Sequence, residues 1–201
     1  MEAIAETYRV LVVDNNLERI ELLNNVVVKS DRYNVIAQSS LKHGLIERVK
    51  QVNPDIILIC EDSPCDRTID TVASINKEYP CPIVMFAQDE SSETIQNATF
   101  AGVSAYAVGE LTKERIETII EAAIARFSKF RALQQELEKT KTNLAERKII
   151  ERAKEIVAHQ RGITEAEAYQ TLRKLAMDRR KRLAEIAQDV LLIAEVFTNR
   201  A

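Results

Sequence analysis

The chain has 201 residues, 46% hydrophobic and 29% charged, a balance that excludes a low-complexity or disordered protein. That length gives room for one ordinary domain and a smaller module. The net charge of −3 is uneven: residues 1–110 hold 9 Lys+Arg against 17 Asp+Glu, and residues 111–201 hold 19 against 14. An acidic half followed by a basic half is a layout of regulatory domains that carry a nucleic-acid-binding tail. The first ten residues contain Glu2 and Glu6 and no basic-then-apolar segment, so no secretory signal is expected. No apolar run approaches the ~20 residues of a membrane span. Cys60, Cys65 and Cys81 are odd in number with no histidine near them, which fits reduced thiols in the cytoplasm rather than disulfides or a zinc site.

In chain order, short β-branched runs predict strands over 9–13, 35–37, 56–59, 83–86 and 105–108. Apolar residues at consecutive positions mark strands buried on both faces, as a parallel sheet between helices requires. Helical patterns lie between them over 17–28, 44–52, 69–77, 92–101 and 112–125, and Pro54 after Asn53 closes the second. Five βα units predict a flavodoxin-like doubly wound α/β domain over residues 1–125, with any site at the carboxyl ends of its strands.

Residues 8–125 resemble the receiver domain of two-component response regulators, through the stretches 10–14, 54–64, 82–86 and 102–108. A working receiver places two acids after the first strand; here stand Asp14 and Asn15. The phosphoacceptor aspartate, four residues before the proline of the loop after the third strand, is Cys60 when counted from Pro64. The hydroxyl residue after the fourth strand is Ala87, and the lysine after the fifth is Gly109. Mg²⁺ requires several oxygen ligands, so Asp14 beside an amide and a thiol is a poor site. The resemblance therefore implies a degenerate phosphorylation site, with Asp62 the alternative acceptor if the register is shifted. Cys60 reads as a space-filling thiol or as a redox handle. His43 and His159 stand alone, and neither an enzyme site nor a cofactor is expected.

From Glu114 to about Gln160 the chain contains no proline or glycine, which predicts an exceptionally long helix. Ile116, Ile120, Ala123, Phe127, Phe130, Leu137 and Leu144 follow a 4-3 spacing, with Gln134 and Lys141 at interrupted positions. Such a seam suits a two-helix coiled coil, hence a homodimer through a linker over 126–143, or a helix docked on the receiver. A single solvated helix is the bland alternative.

Gly162 breaks this helix, and Thr164 with Glu167 forms a capping box for a helix over 165–178. Another helix is expected over 183–197. Ala168, Leu172 and Leu175 on one, and Leu183, Ile186, Ala187, Val190 and Ala194 on the other, form apolar stripes that can close a small three-helix bundle over 144–201. Its polar side is basic: Arg152, Lys154, Arg161, Arg173, Lys174, Arg179, Arg180, Lys181 and Arg182. Cations at this density attract phosphate backbones. Tyr169, one turn before Arg173, is either a ring for stacking unpaired bases or a core residue with its hydroxyl at the rim.

Glu151-Arg152-Ala153-Lys154, Gly162, Ala168-Tyr169, Leu172-Arg173, Ala176-Met177 and Ala187 stand at a spacing that resembles the ANTAR domain of transcription antiterminators, over residues 144–196. Glu155 stands where that family often has glycine, and Arg180 where asparagine is frequent. The resemblance implies binding to paired hairpins of nascent mRNA leaders, which prevents formation of a terminator. Receiver plus ANTAR is similar to the AmiR and NasT group, in which a ligand-sensing protein partner controls a degenerate receiver. Residues 82–86 and 102–106 are similar to the NasT branch, which implies nitrate and nitrite assimilation genes. A DNA-binding response regulator and a coiled-coil adaptor without nucleic acid are the competing classes.

Overall fold

The structure is a computed structural model that describes residues 7–28, 32–40 and 44–198, with side chains described for all of these except 26–28 and 196–198. In chain order its elements are β1 (Tyr8–Val13), α1 (Leu17–Val28), β2 (Tyr33–Ser39), α2 (Leu45–Val52), β3 (Ile56–Cys60), α3 (Asp66–Glu78), β4 (Ile83–Ala87), α4 (Ser92–Ala101), β5 (Ala105–Val108), α5 (Lys113–Arg161), α6 (Glu165–Arg179) and α7 (Leu183–Thr198). The chain forms two compact units, Met1–Arg131 and Ala132–Ala201, and α5 supplies residues to both. His43 lies outside the described residues.

The first unit is a five-stranded parallel sheet in the order β2-β1-β3-β4-β5, the flavodoxin-like arrangement expected. Successive side chains of a strand point to opposite faces, so each apolar run fills two cores. Val10, Val12, Ile56, Leu58, Val84 and Phe86 pack with Ile20 and Leu23 of α1 and with Ile116, Ile120 and Ala123 of α5. Leu11, Val13, Ile57, Ile59, Ile83 and Met85 pack with α2, α3 and α4 on the other face. The front of the expected coiled-coil seam is thus spent inside this unit: Ile116, Ile120 and Ala123 are each 0% exposed.

Element ends differ from expectation where polar residues blur the pattern. β2 spans seven residues rather than three because it is an edge strand and takes Asn34, Gln38 and Ser39. α2 begins at Leu45 because Gly44 adopts φ 74°, outside the helical region. α3 begins at Asp66, three residues early, with a carboxylate in the first turn that favours the positive end of the helix dipole.

The second unit is a bundle of the C-terminal part of α5 with α6 and α7. Ala153, Leu172, Ala176, Ile186 and Ala187 are buried together, and Ile149, Ile150, Val157, Leu175, Leu183 and Val190 pack around them. Three buried alanines let the helix backbones approach closely. The capping box is formed: the Thr164 hydroxyl accepts from the Glu167 N–H at 3.3 Å, and Glu167 accepts from the Thr164 N–H at 2.9 Å. Gly162, at φ 64°, ends α5. The Ile163 N–H then donates to the Ala158 carbonyl, which satisfies one of the helix's free carbonyls.

Gly102 caps α4 at φ 104°, and a Cβ there would lie 2.1 Å from the Asn76 amide nitrogen. Gly102→Ala is expected to lower the stability of the first unit by about 2 kcal/mol, through backbone strain and this clash together. Urea denaturation followed by far-UV circular dichroism measures it; an unchanged midpoint would refute the packing described.

Candidate functional site

Two places hold the residues singled out in the sequence: the carboxyl ends of the strands and the basic faces of the bundle. In the first, Asp14 follows β1 and Cys60 ends β3, the two central strands where the chain's winding direction reverses. Cys60 pairs in register with Phe86 of β4, which fixes it as the last strand residue. The Asp14 side chain is 0% exposed. Its Oδ2 accepts from Arg19 Nε at 2.9 Å, and its Oδ1 accepts from Arg19 Nη2 at 3.1 Å and from the Asn16 N–H at 2.8 Å. Arg19 Nη1 also pairs with Asp62. The Asp14 carboxylate raises the pKa of the Arg19 guanidinium, against the opposing effect of burial.

A divalent cation does not fit this donor set. Both Asp14 oxygens already serve a guanidinium fork, and Asn15 and Cys60 add an amide and a protonated thiol. Burial, helped by the nearby Asp14 charge, pushes the Cys60 thiol up to about 12. The remaining space, lined by Arg19, Cys60, Asp62, Phe86, Ala87, Gln88, Gly109 and Leu111, is about 20 Å³, room for roughly one water and not for a phosphoryl group. Ala87 contributes no hydroxyl and Gly109 no ammonium. Asp62, the alternative acceptor, is held in an ion pair by Arg19. Sequence reasoning misses Arg19. Its only signal is a basic residue in the first turn of a helix, where the dipole disfavours one.

On the bundle, the nine expected cations divide into two groups. Lys154 is only 14% exposed and is held by Glu151 and, at 2.9 Å, by Glu165, so it ties the start of α6 to α5. Lys181 pairs with Asp189 at 2.9 Å, and Arg182 with Glu146 and Glu185, both at 3.2 Å. Exposed pairs of this kind contribute about 0–1 kcal/mol each, so a phosphate can compete for these two cations. Among the described residues, Arg152, Arg161, Arg173, Lys174, Arg179 and Arg180 are exposed and form no ion pair. Arg180 is the left-handed C-cap of α6, at φ 53°. A short amide side chain would tolerate that conformation better than arginine.

Tyr169 is 38% exposed and stands at the mouth of a notch of about 300 Å³. Asn143, Glu146, Arg147, Ile150, Glu151 and Leu183 complete its lining. The ring is not among the buried cluster of the bundle and lines this notch beside an amide, a guanidinium and two carboxylates. Asn143 and Arg147 line the notch with Tyr169, a proximity hidden in sequence because they lie up to two helical turns before the recognised motif. Glu155 stands on α5 beside Arg152, Arg147 and Lys148 in a shallow groove, where its carboxylate offsets part of their positive charge.

The three thiols differ sharply. Cys81 is buried and, like Cys60, pushed up to about 12 by burial, whereas exposed Cys65 is lowered by its hydrogen bond with Thr68. Iodoacetamide at pH 8 is expected to alkylate Cys65 at least tenfold faster than Cys60 or Cys81 in the folded chain, with the difference lost in urea. Peptide mass spectrometry measures it; rapid labelling of folded Cys60 would contradict the closed site.

The family model described as the ANTAR domain matches residues 138–191. The transcriptional regulatory protein PdtaR of Mycobacterium tuberculosis is 28% identical over 184 residues, 91% of this chain and 89% of that protein. A nitrate regulatory protein of Klebsiella oxytoca is 43% identical over 61 residues, 30% of this chain and 15% of its own length. The fold of the first unit is shared with the receiver domain of NarL from Mycobacterium tuberculosis, at 19% identity and TM-score 0.53, over 59% of this chain and 97% of that one. It is also shared with a LuxR-family two-component response regulator from Aurantimonas, at 21% identity and TM-score 0.54, over 60% and 86%. Among the described residues no helix is long and apolar enough to cross a membrane. The chain joins a receiver-like fold to an ANTAR domain.

Proposed function

We propose that this protein is an RNA-binding transcription antiterminator whose receiver takes its input from a protein partner rather than from phosphorylation. The observation that carries the proposal is the set of exposed cations that form no ion pair among the described residues, Arg173, Lys174, Arg179 and Arg180 above all, on the segment that matches the ANTAR domain. Unpaired guanidinium groups keep their full capacity to displace counterions from a phosphate backbone. Tyr169 supplies a stacking face on the same bundle, and the notch behind it offers Asn143 and Arg147 for the edge of an unpaired base. RNA loops expose bases in this way, and regular duplex DNA does not. Binding paired hairpins of an mRNA leader would hold the transcript in a fold that excludes the terminator.

Dimerisation belongs to the same proposal. Phe130, Leu133, Leu137 and Leu144 are 54–56% exposed on α5, at a 3-4-7 spacing that keeps them on one face of the helix. Leu133, rather than Gln134, supplies the second apolar position. Two copies joined along this stripe present two bundles to two hairpins. The partner is a ligand-sensing protein that masks the stripe or the basic faces. Genes of nitrate or nitrite assimilation are the proposed target class, supported by the similarity of 61 residues to the nitrate regulatory protein of Klebsiella oxytoca.

The test is filter binding to a tandem-hairpin leader RNA. Arg173→Ala, Arg179→Ala and Arg180→Ala combined are expected to lower the slope of log affinity against log salt by about one for each phosphate contact removed. Tyr169→Leu is expected to weaken binding about tenfold with an unchanged slope, the signature of lost stacking. Unaltered affinity in both variants would sink the proposal. Separately, Leu133→Lys with Leu137→Lys is expected to convert the dimer to a monomer in analytical ultracentrifugation; a variant that remains dimeric would place the dimer contact elsewhere.

A further inference from the structure

We infer that Arg19 is a tethered counter-ion that permanently occupies the cation position of the receiver fold, so that the acidic end of the sheet is closed to divalent metal whatever residue stands at position 60. The inference is independent of RNA binding and fails or holds without affecting it.

Three features converge. The Arg19 fork takes both oxygens of the fully buried Asp14, the one carboxylate left from the acid pair that follows the first strand. The same guanidinium reaches Asp62 on the loop after β3 and so ties the ends of β1 and β3 together. The void beside Cys60, about 20 Å³, has Arg19 as part of its wall. The charge count supports the exchange. Two carboxylates and one guanidinium, with a neutral thiol, leave −1; a site of three carboxylates around a divalent cation leaves the same −1. Arginine suits this place because its planar fork matches a carboxylate with two parallel hydrogen bonds and its charge persists at any pH the fold survives.

A chain that had lost only its phosphoacceptor would regain a metal site once that residue was restored. Here restoration must fail while Arg19 remains. The test compares the full-length wild type, Cys60→Asp, and Cys60→Asp combined with Arg19→Ala, by the loss of the free Mn²⁺ signal in electron paramagnetic resonance. Wild type and Cys60→Asp are expected to leave millimolar Mn²⁺ free. The double variant is expected to bind one equivalent at least tenfold more tightly than either. Its melting temperature is expected to rise in MgCl₂ relative to NaCl of equal ionic strength, with no such rise in the wild type.

Binding of Mn²⁺ by Cys60→Asp as tightly as by the double variant would overturn the inference, and so would a wild-type melting temperature that rises with Mg²⁺. Should removal of Arg19 leave Asp14 too poorly compensated for folding, Arg19→Gln with Cys60→Asp retains an amide donor to Asp14 and serves in its place. A folded double variant that still binds no Mn²⁺ equally overturns it.

Discussion

One helix must satisfy two cores. α5 buries Ile116, Ile120 and Ala123 under the receiver-like sheet, and further along it buries Ala153 between α6 and α7. Between these two stretches α5 carries apolar residues that stay more than half exposed. Phe130, Leu133, Leu137 and Leu144 are those residues. Covering what is still exposed of each side chain would recover about half of the roughly 1.5–3 kcal/mol of full burial, which supports the self-association proposed along this stretch. Anything covering these residues would compete directly with the proposed pairing.

The receiver-like unit keeps its architecture and exchanges its chemistry. Each place that would handle phosphate or metal holds a group that packs or pairs internally: a protonated buried thiol at Cys60, a methyl at Ala87, a bare backbone at Gly109 and a guanidinium on Asp14. Asp14 is fully buried and Arg19 partly so, and their pair holds the carboxyl end of the sheet more firmly than an exposed ion pair would. The basic bundle is organised oppositely: among the described residues, Arg152, Arg161, Arg173, Lys174, Arg179 and Arg180 are exposed and form no ion pair.

Much of this was legible in the sequence. The β-branched runs at 56–59 and 83–86 announced buried parallel strands, and Pro64 located Cys60 at the end of the third. Thr164 and Glu167 marked the start of α6 because a capping box is a local interaction. What stayed hidden was non-local. Arg19 meets Asp62 across 43 positions, and Arg182 meets Glu146 across 36, which no helical or strand period encodes. Lys154 looked like a phosphate ligand because one of its two carboxylate partners, Glu165, becomes a neighbour only when α6 folds against α5. The length of β2 was obscured by the polar residues that its edge position permits.

The most direct test of the central claim is binding of the full chain, never exposed to a phosphodonor, to a leader RNA with two tandem hairpins at two salt concentrations, with duplex DNA of equal length as competitor. The account expects RNA binding that weakens as salt rises and that duplex DNA does not displace. Equal or stronger binding to DNA, or RNA binding that emerges only after treatment with a phosphodonor, would contradict it.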